Sequence, residues 1–250
     1  MIYEGHLAAA ERSTWPLGSS IDWDRIDRGT ALAEPEILAA LHDAALVEGY
    51  LPLFIPRLMQ MVWDDVDATA VLSVELYDGL RHFTALKRYL DRVGYTSAAA
   101  MESELVEARR RAVDLPYESS DVLAHLTNFM CSELLAARFF RQLARRTREP
   151  VLKELLSYMA RDELRHSAGA GDLLRKRIQT DASAADRILV VAERFRHYGN
   201  DVVAVPVAEQ NDFHSILAVN RKVRQICGTA PTEHLKEAIR WRSARTSSGS

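Results

Sequence analysis

A chain of 250 residues with 48% hydrophobic side chains is long enough to bury one core. Its 32 basic and 35 acidic residues leave a net charge of -3, too small a field to draw the whole protein to nucleic acid or to an anionic membrane. The sequence has no run of about eighteen apolar residues, and its two cysteines are too few for a disulfide framework. The start Met1 to Gly5 lacks the charged and apolar regions of a signal peptide, so the expectation is a cytoplasmic protein without membrane or nucleic-acid partners.

Residues 1–30 contain Pro16, Gly18, Gly29 and a Ser-Ser pair without a sustained period, and predict an irregular N-terminal arm packed by Trp15 and Trp23. Helical patterns begin after it and define one helical domain over 31–242. Pro35 suits the first position of a helix running to Trp63, which Pro52 and Pro56 should kink. The next helix spans 68–93 and stops at Gly94, and a spacer helix near 97–112 ends before Pro116. Ser120 or Asp121 can cap a helix to about 147, and Pro150 restarts the chain into 151–178. Further helices fit 183–199, 209–227 and 231–242, and the polar tail 243–250 reads as disordered. Only Val202 to Val205 carries strand character, too short to build a sheet, so the fold is predicted to be all-α.

Asp78-Gly79-Leu80-Arg81-His82 returns 84 positions later as Asp162-Glu163-Leu164-Arg165-His166. A lone Glu precedes each copy, Glu48 by 31 positions before Gly79 and Glu133 by 30 before Glu163. A Glu from each of two helices and Glu-x-x-His from each of two others is how helical bundles hold two metal ions. Glu48, His82, Glu133, Glu163 and His166 fill five of those six places, and Gly79 stands at the sixth. On the helix from 151, Leu156, Met159, Ala160, Glu163, His166, Ser167 and Ala170 form one inward stripe, and Leu72, Glu75, Gly79, His82, Phe83, Leu86 and Leu90 form its counterpart. Any one of these ionisable residues alone is more often a surface Glu or a satisfied core His. As a set inside apolar stripes they need a cation, because an uncompensated buried carboxylate costs several kcal/mol or becomes protonated. Carboxylates with imidazole suit iron or manganese better than zinc.

Val47-Glu48-Gly49-Tyr50-Leu51-Pro52, the Asp162 to His166 segment and the stretch Phe213 to Trp241 with Gln225-Ile226-Cys227-Gly228-Thr229 resemble the soluble acyl-carrier-protein desaturases of the ferritin-like superfamily, over about residues 30–242. The resemblance implies a ferritin-like four-helix bundle with flanking helices. It also implies a di-iron centre in which Glu48 and His82 bind one iron, Glu133 and His166 the other, and Glu163 bridges them. Two departures stand out: Gly79 replaces the second bridging carboxylate, and Ala136 stands where the family usually has a Thr near the oxygen-binding side. Gly79 is expected to leave an open volume. Asp78, an i,i+4 partner of His82, ranks first to complete the cluster, Glu75 second, and solvent or a substrate carboxylate third.

The expected function is an O2-dependent di-iron oxidase, with manganese as an alternative metal, that desaturates or hydroxylates an acyl or other carboxylate-bearing metabolite. The substrate could arrive on acyl carrier protein, with an external electron donor, and the resemblance implies a homodimer. The competing reading is an inactive structural or regulatory paralogue binding one metal or none; a single metal at Glu133, Glu163 and His166 is a third. The arginines 138, 141, 145, 146 and 148, and the run Arg109 to Arg111, could receive an acidic carrier, although basic residues at a helix C-terminus commonly complement its dipole. His6, His42, His125, His197, His214 and His234 read as ordinary surface or core residues.

Overall fold

The computed structural model describes residues 1–113, 121–195, 197, 199, 202–203 and 213–228, apart from the side chains of Ala112 and Phe213. Among these residues the structure is all-α, with no strand. The helices are α1 (Ile2–Arg12), α2 (Arg28–Leu32), α3 (Pro35–Met61), α4 (Val66–Val93), α5 (Ala98–Val113), α6 (Val122–Arg146), α7 (Pro150–Thr180), α8 (Ala184–Glu193) and α9 (Phe213–Cys227). The long helices pair as α3 with α4 and α6 with α7; α4 also lies against α7, and α3 meets α6 more briefly. The result is a helical bundle, with α1 laid over α4 and α7, α5 over α3, and α8 and α9 over α6.

Local chemistry sets the helix ends. Asp65 caps α4 by accepting from the Ala68 N–H, and Asp121, of the two candidates, caps α6 by accepting from Leu123 and Ala124. Glu149 caps α7 ahead of Pro150 and accepts from the amides of Val151 and Leu152 and from the Tyr89 hydroxyl. That carboxylate is fully buried and well supplied with donors. Gly94 ends α4 in the left-handed region, φ 83°, which a side chain would resist.

Three expectations need revision. The arm is not irregular throughout: residues 2–12 form α1, whose Glu4 and Arg12 suit the two ends of a helix dipole, and whose face carries buried His6 onto α4 and α7. The helix from Pro35 runs through Pro52 and Pro56 as expected, but α3 ends at Met61 instead of Trp63. The Gly49 carbonyl, three residues before Pro52, accepts from the Arg109 guanidinium on α5. The helix predicted to 199 stops at Glu193. The predicted helix at 231–242 and the tail 243–250 lie outside the described residues, as does the start of the one at 209–227.

Trp15 and Trp23 are buried as expected, at 1% and 8% exposure. One helix, α3, is long and apolar enough to cross a membrane by length and composition, with 44% of that window buried inside the fold. The apolar core divides in two. One half gathers Leu38, Leu41, Leu86, Tyr89, Phe140, Leu152 and Met159, and the other Leu51, Ile55, Leu72, Phe129, Met130 and Leu173. Between them, on all four long helices at once, lies a layer of ionisable residues.

Candidate metal centre

Glu48 on α3, Glu75, Asp78 and His82 on α4, Glu133 on α6, and Glu163 and His166 on α7 are all buried, none more than 5% exposed. They sort into two groups whose donor atoms lie within 4.8 Å of one another: Glu75, Glu133, Glu163 and His166, and Glu48, His82 and Glu163. Glu163 belongs to both. Its Oε2 stands 2.9 Å from His166 Nδ1 and its Oε1 2.8 Å from His82 Nδ1, so its two oxygens face different imidazoles. Glu75 Oε2 reaches His166 Nδ1 at 2.7 Å, Glu133 Oε2 lies 3.7 Å from the same nitrogen, and Glu48 Oε2 lies 3.5 Å from His82 Nδ1.

The five residues expected from the sequence therefore converge. The sixth is a correction: Glu75, ranked second, joins the inner cluster, and Asp78, ranked first, does not. The N-terminal lean of helical side chains carries Glu75 away from His82, as expected, but across to His166 on α7. Asp78 instead faces the outer nitrogen of His166, Nε2, at 3.0 Å. Nor does Gly79 leave an open volume. A Cβ built there would run into the Leu51 side chain from α3, with Glu48 Oε2 next at 3.4 Å. With no side chain at Gly79, α3 and α4 pack closely there.

Around the inner cluster runs a second set of partners that the repeat contained and its first reading did not assign. Asp78 of the first copy meets His166 of the second, and Asp162 of the second meets His82 Nε2 of the first at 3.2 Å. Arg81 bonds Asp78 at 2.6 Å and Asp162 at 2.9 Å, and Arg165 bonds Asp162 at 2.7 Å and also pairs with Asp78. Each repeat thus orients the imidazole of the other. With Nε2 donating outward to a carboxylate, each ring turns the Nδ1 lone pair inward, the arrangement that metal-binding histidines use.

The N-terminal arm closes this outer set. The Trp15 indole N–H donates to Asp162 Oδ2 at 2.5 Å, its ring stacks near His82 at 6.0 Å, and the Arg81 guanidinium lies 4.6 Å over it. Ser13 Oγ accepts from Arg165 at 2.7 Å. Trp15→Phe keeps a ring but deletes a hydrogen bond to a charged group, so stability should fall by about 2 kcal/mol in urea unfolding followed by circular dichroism. An unchanged midpoint would mean that Asp162 does not need the indole.

Without a cation, protons stabilise the layer. Burial and then the Glu133 charge push the Glu75 carboxyl up to about 8, and burial with the Glu48 and Glu133 charges pushes Glu163 up as well. Burial alone would lower both imidazoles, but the Glu163 charge beside His82 and the Glu75 charge beside His166 raise them well above the ordinary value. Burial opposes ionisation of Asp78 and Asp162 too. There the histidines and arginines win and hold both below the usual carboxylate range.

The signs give a pH profile. Glu75, Glu163, His82 and His166 contribute stability that is complete below the unfolded values, 4.5 for Glu and 6.5 for His, and is lost as pH rises through the folded ones, about 8 for Glu75. Asp78 and Asp162 contribute stability present above 3.8 and lost in stronger acid. Metal-free protein kept in chelator should therefore melt higher at about pH 5.5 than at about pH 8.5. A melting temperature that climbs between those two values would contradict the carboxylate cluster.

Sequence reasoning also passed over His6 and His197 as ordinary residues. Both are buried, and burial holds both near 4, so both are neutral at pH 7. His6 packs against Gly169, one turn beyond His166, and His197 accepts from the Gly199 N–H at 3.0 Å. The arginine runs are in part structural: Arg109 holds the Gly49 carbonyl, Arg146 pairs with Glu36 and Arg148 with Glu34. Compared with known proteins, the chain matches no family model, no curated protein and no solved structure.

Proposed function

We propose that this chain is an O2-dependent non-haem di-iron oxidase on a ferritin-like bundle, desaturating or hydroxylating an acyl chain or another carboxylate-bearing metabolite. The reading is carried by the balance of charge in the buried layer. Asp78 and Asp162 are matched by Arg81 and Arg165, so the outer set is neutral by itself. Glu48, Glu75, Glu133 and Glu163 have only two imidazoles among them. Glu75 Oε2, His82 Nδ1 and Glu163 Oε1 are buried with no hydrogen-bond partner, close enough to a neighbour but misaligned for a bond. Buried Glu149, ringed by donors, is what a carboxylate of purely structural role looks like in this same fold.

Four carboxylates neutralise two divalent cations. A single cation would leave the other half of the layer to be neutralised by protons alone, which ranks the mononuclear reading lower. Hard oxygen donors with imidazole favour iron, then manganese. Glu48, Glu75, Glu133, Glu163, His82 and His166 would hold two ferrous ions, which would supply O2-dependent oxidation of a C–H bond.

The protein's own residues supply orientation and dryness. Asp78 and Asp162 set the ring tautomers, Glu163 presents one oxygen to each side, and the apolar halves above and below keep water from the layer. An external electron donor, a substrate that is free or held on acyl carrier protein, and a homodimer belong to the same proposal. The test is anaerobic loading with ferrous iron followed by metal analysis and an oxygen electrode. Near two irons per chain with O2 uptake supports it. A protein that neither retains two irons nor consumes O2 leaves the inactive helical paralogue as the better reading.

A further inference from the structure

The two donor groups are not equivalent. Three carboxylates and one imidazole face the His166 position, through Glu75, Glu133 and Glu163, whereas the His82 position has Glu48 and a share of Glu163. The place from which a second shared carboxylate would come is Gly79, and Leu51 Cδ1 occupies it. Glu75, one turn earlier on α4, replaces the lost charge for the layer as a whole but delivers it to one side only, its Oε2 lying 2.7 Å from His166 Nδ1. Both positions are built in the sense that matters for a ligand: Glu75 Oε2 and His82 Nδ1, at 1% and 0% residue exposure, are buried one on each side, each beside an oppositely charged neighbour but without a hydrogen bond.

We infer that the centre loads its two cations in sequence, the His166 position first. The inference rests on the two-cation reading above and adds an order and a location to it. Affinity for a divalent ion follows the number and charge of its ligands. The His166 position has one protein carboxylate more, and it does not depend on sharing. The His82 position faces the Leu51 side chain where a further carboxylate would stand.

Titration of metal-free protein with Co(II) alone, followed by d–d absorption and by calorimetry, reads this directly. Two binding steps of one ion each are expected, with dissociation constants about ten- to a hundredfold apart, the size of effect that losing one partner around a bound metal produces. Glu48→Gln should remove the second step and keep the first; Glu75→Gln should weaken the first and bring the two steps together.

The wild-type titration needs no substitution, so a variant that fails to fold does not block the test. Two indistinguishable steps would overturn the inference and leave a two-metal centre standing. Binding of no cobalt at all would overturn the centre itself.

Discussion

Glu163→Gln should abolish binding of both cations and, at alkaline pH, stabilise the metal-free protein. Glu163 is the one residue shared by the two donor groups, with its oxygens 2.8 Å and 2.9 Å from the two inner imidazole nitrogens. An amide has the same shape but no charge, and one of its two ends is a donor that cannot bind a cation. Loss of affinity should exceed the roughly hundredfold that removal of a mere outer partner causes. Cations at a hundred times their dissociation constant should stabilise wild-type protein by about 2.7 kcal/mol, and the variant should show none of this.

In chelator the order reverses. Wild-type protein must ionise a carboxyl that burial and the charges of Glu48 and Glu133 push up, whereas the amide is neutral at every pH and can donate to either neighbour. Relief of about 1 kcal/mol would raise the melting temperature by about 2–4 °C at about pH 8.5, and by less as pH falls, since acid favours the neutral form of the wild-type carboxyl. A variant that still gains stability on adding Co(II) would show that the bridging geometry is wrong.

Gly79→Glu, which writes the missing carboxylate back into the repeat, should unfold the protein more readily instead of improving the centre. The new Cβ would enter the space of Leu51 Cδ1, and overpacking of that kind costs about 1–3 kcal/mol. A fifth carboxylate in the inner cluster, beside Glu48 Oε2 at 3.4 Å from that Cβ, adds the cost of burying an unpaired charge or of holding its proton. Leu51→Ala alone should cost about 2–5 kcal/mol as a cavity. The double substitution should cost less than the two singles together by about 0.5–3 kcal/mol, because each relieves the strain the other creates. Urea unfolding of the four proteins completes the cycle. Strict additivity would mean that α3 does not approach α4 at Gly79.

The helices and the inner residues were legible because their signals are local or periodic. Helical stripes on the segments from 68 and 151 placed Glu75, Gly79, His82, Glu163 and His166 on buried faces, and all five are buried. Asp121 and Gly94 carry the cap chemistry their residue types announce. The arm was misread over residues 2–12, where α1 is fixed by docking on α4 and α7 more than by its own weak pattern.

The sequence by itself determined that four helices carry acidic and imidazole groups at matched distances within apolar faces, because helical period and spacing are properties of the chain alone. Only the tertiary structure decided which carboxylate replaces the one missing at Gly79. That choice depends on where α4 meets α7 and on Leu51 crossing from α3, and side-chain reach across a helix interface is written in no single segment. The same holds for the crossed Asp78–His166 and Asp162–His82 pairs and for Trp15 sealing them, whose partners stand 88, 80 and 147 residues apart along the chain.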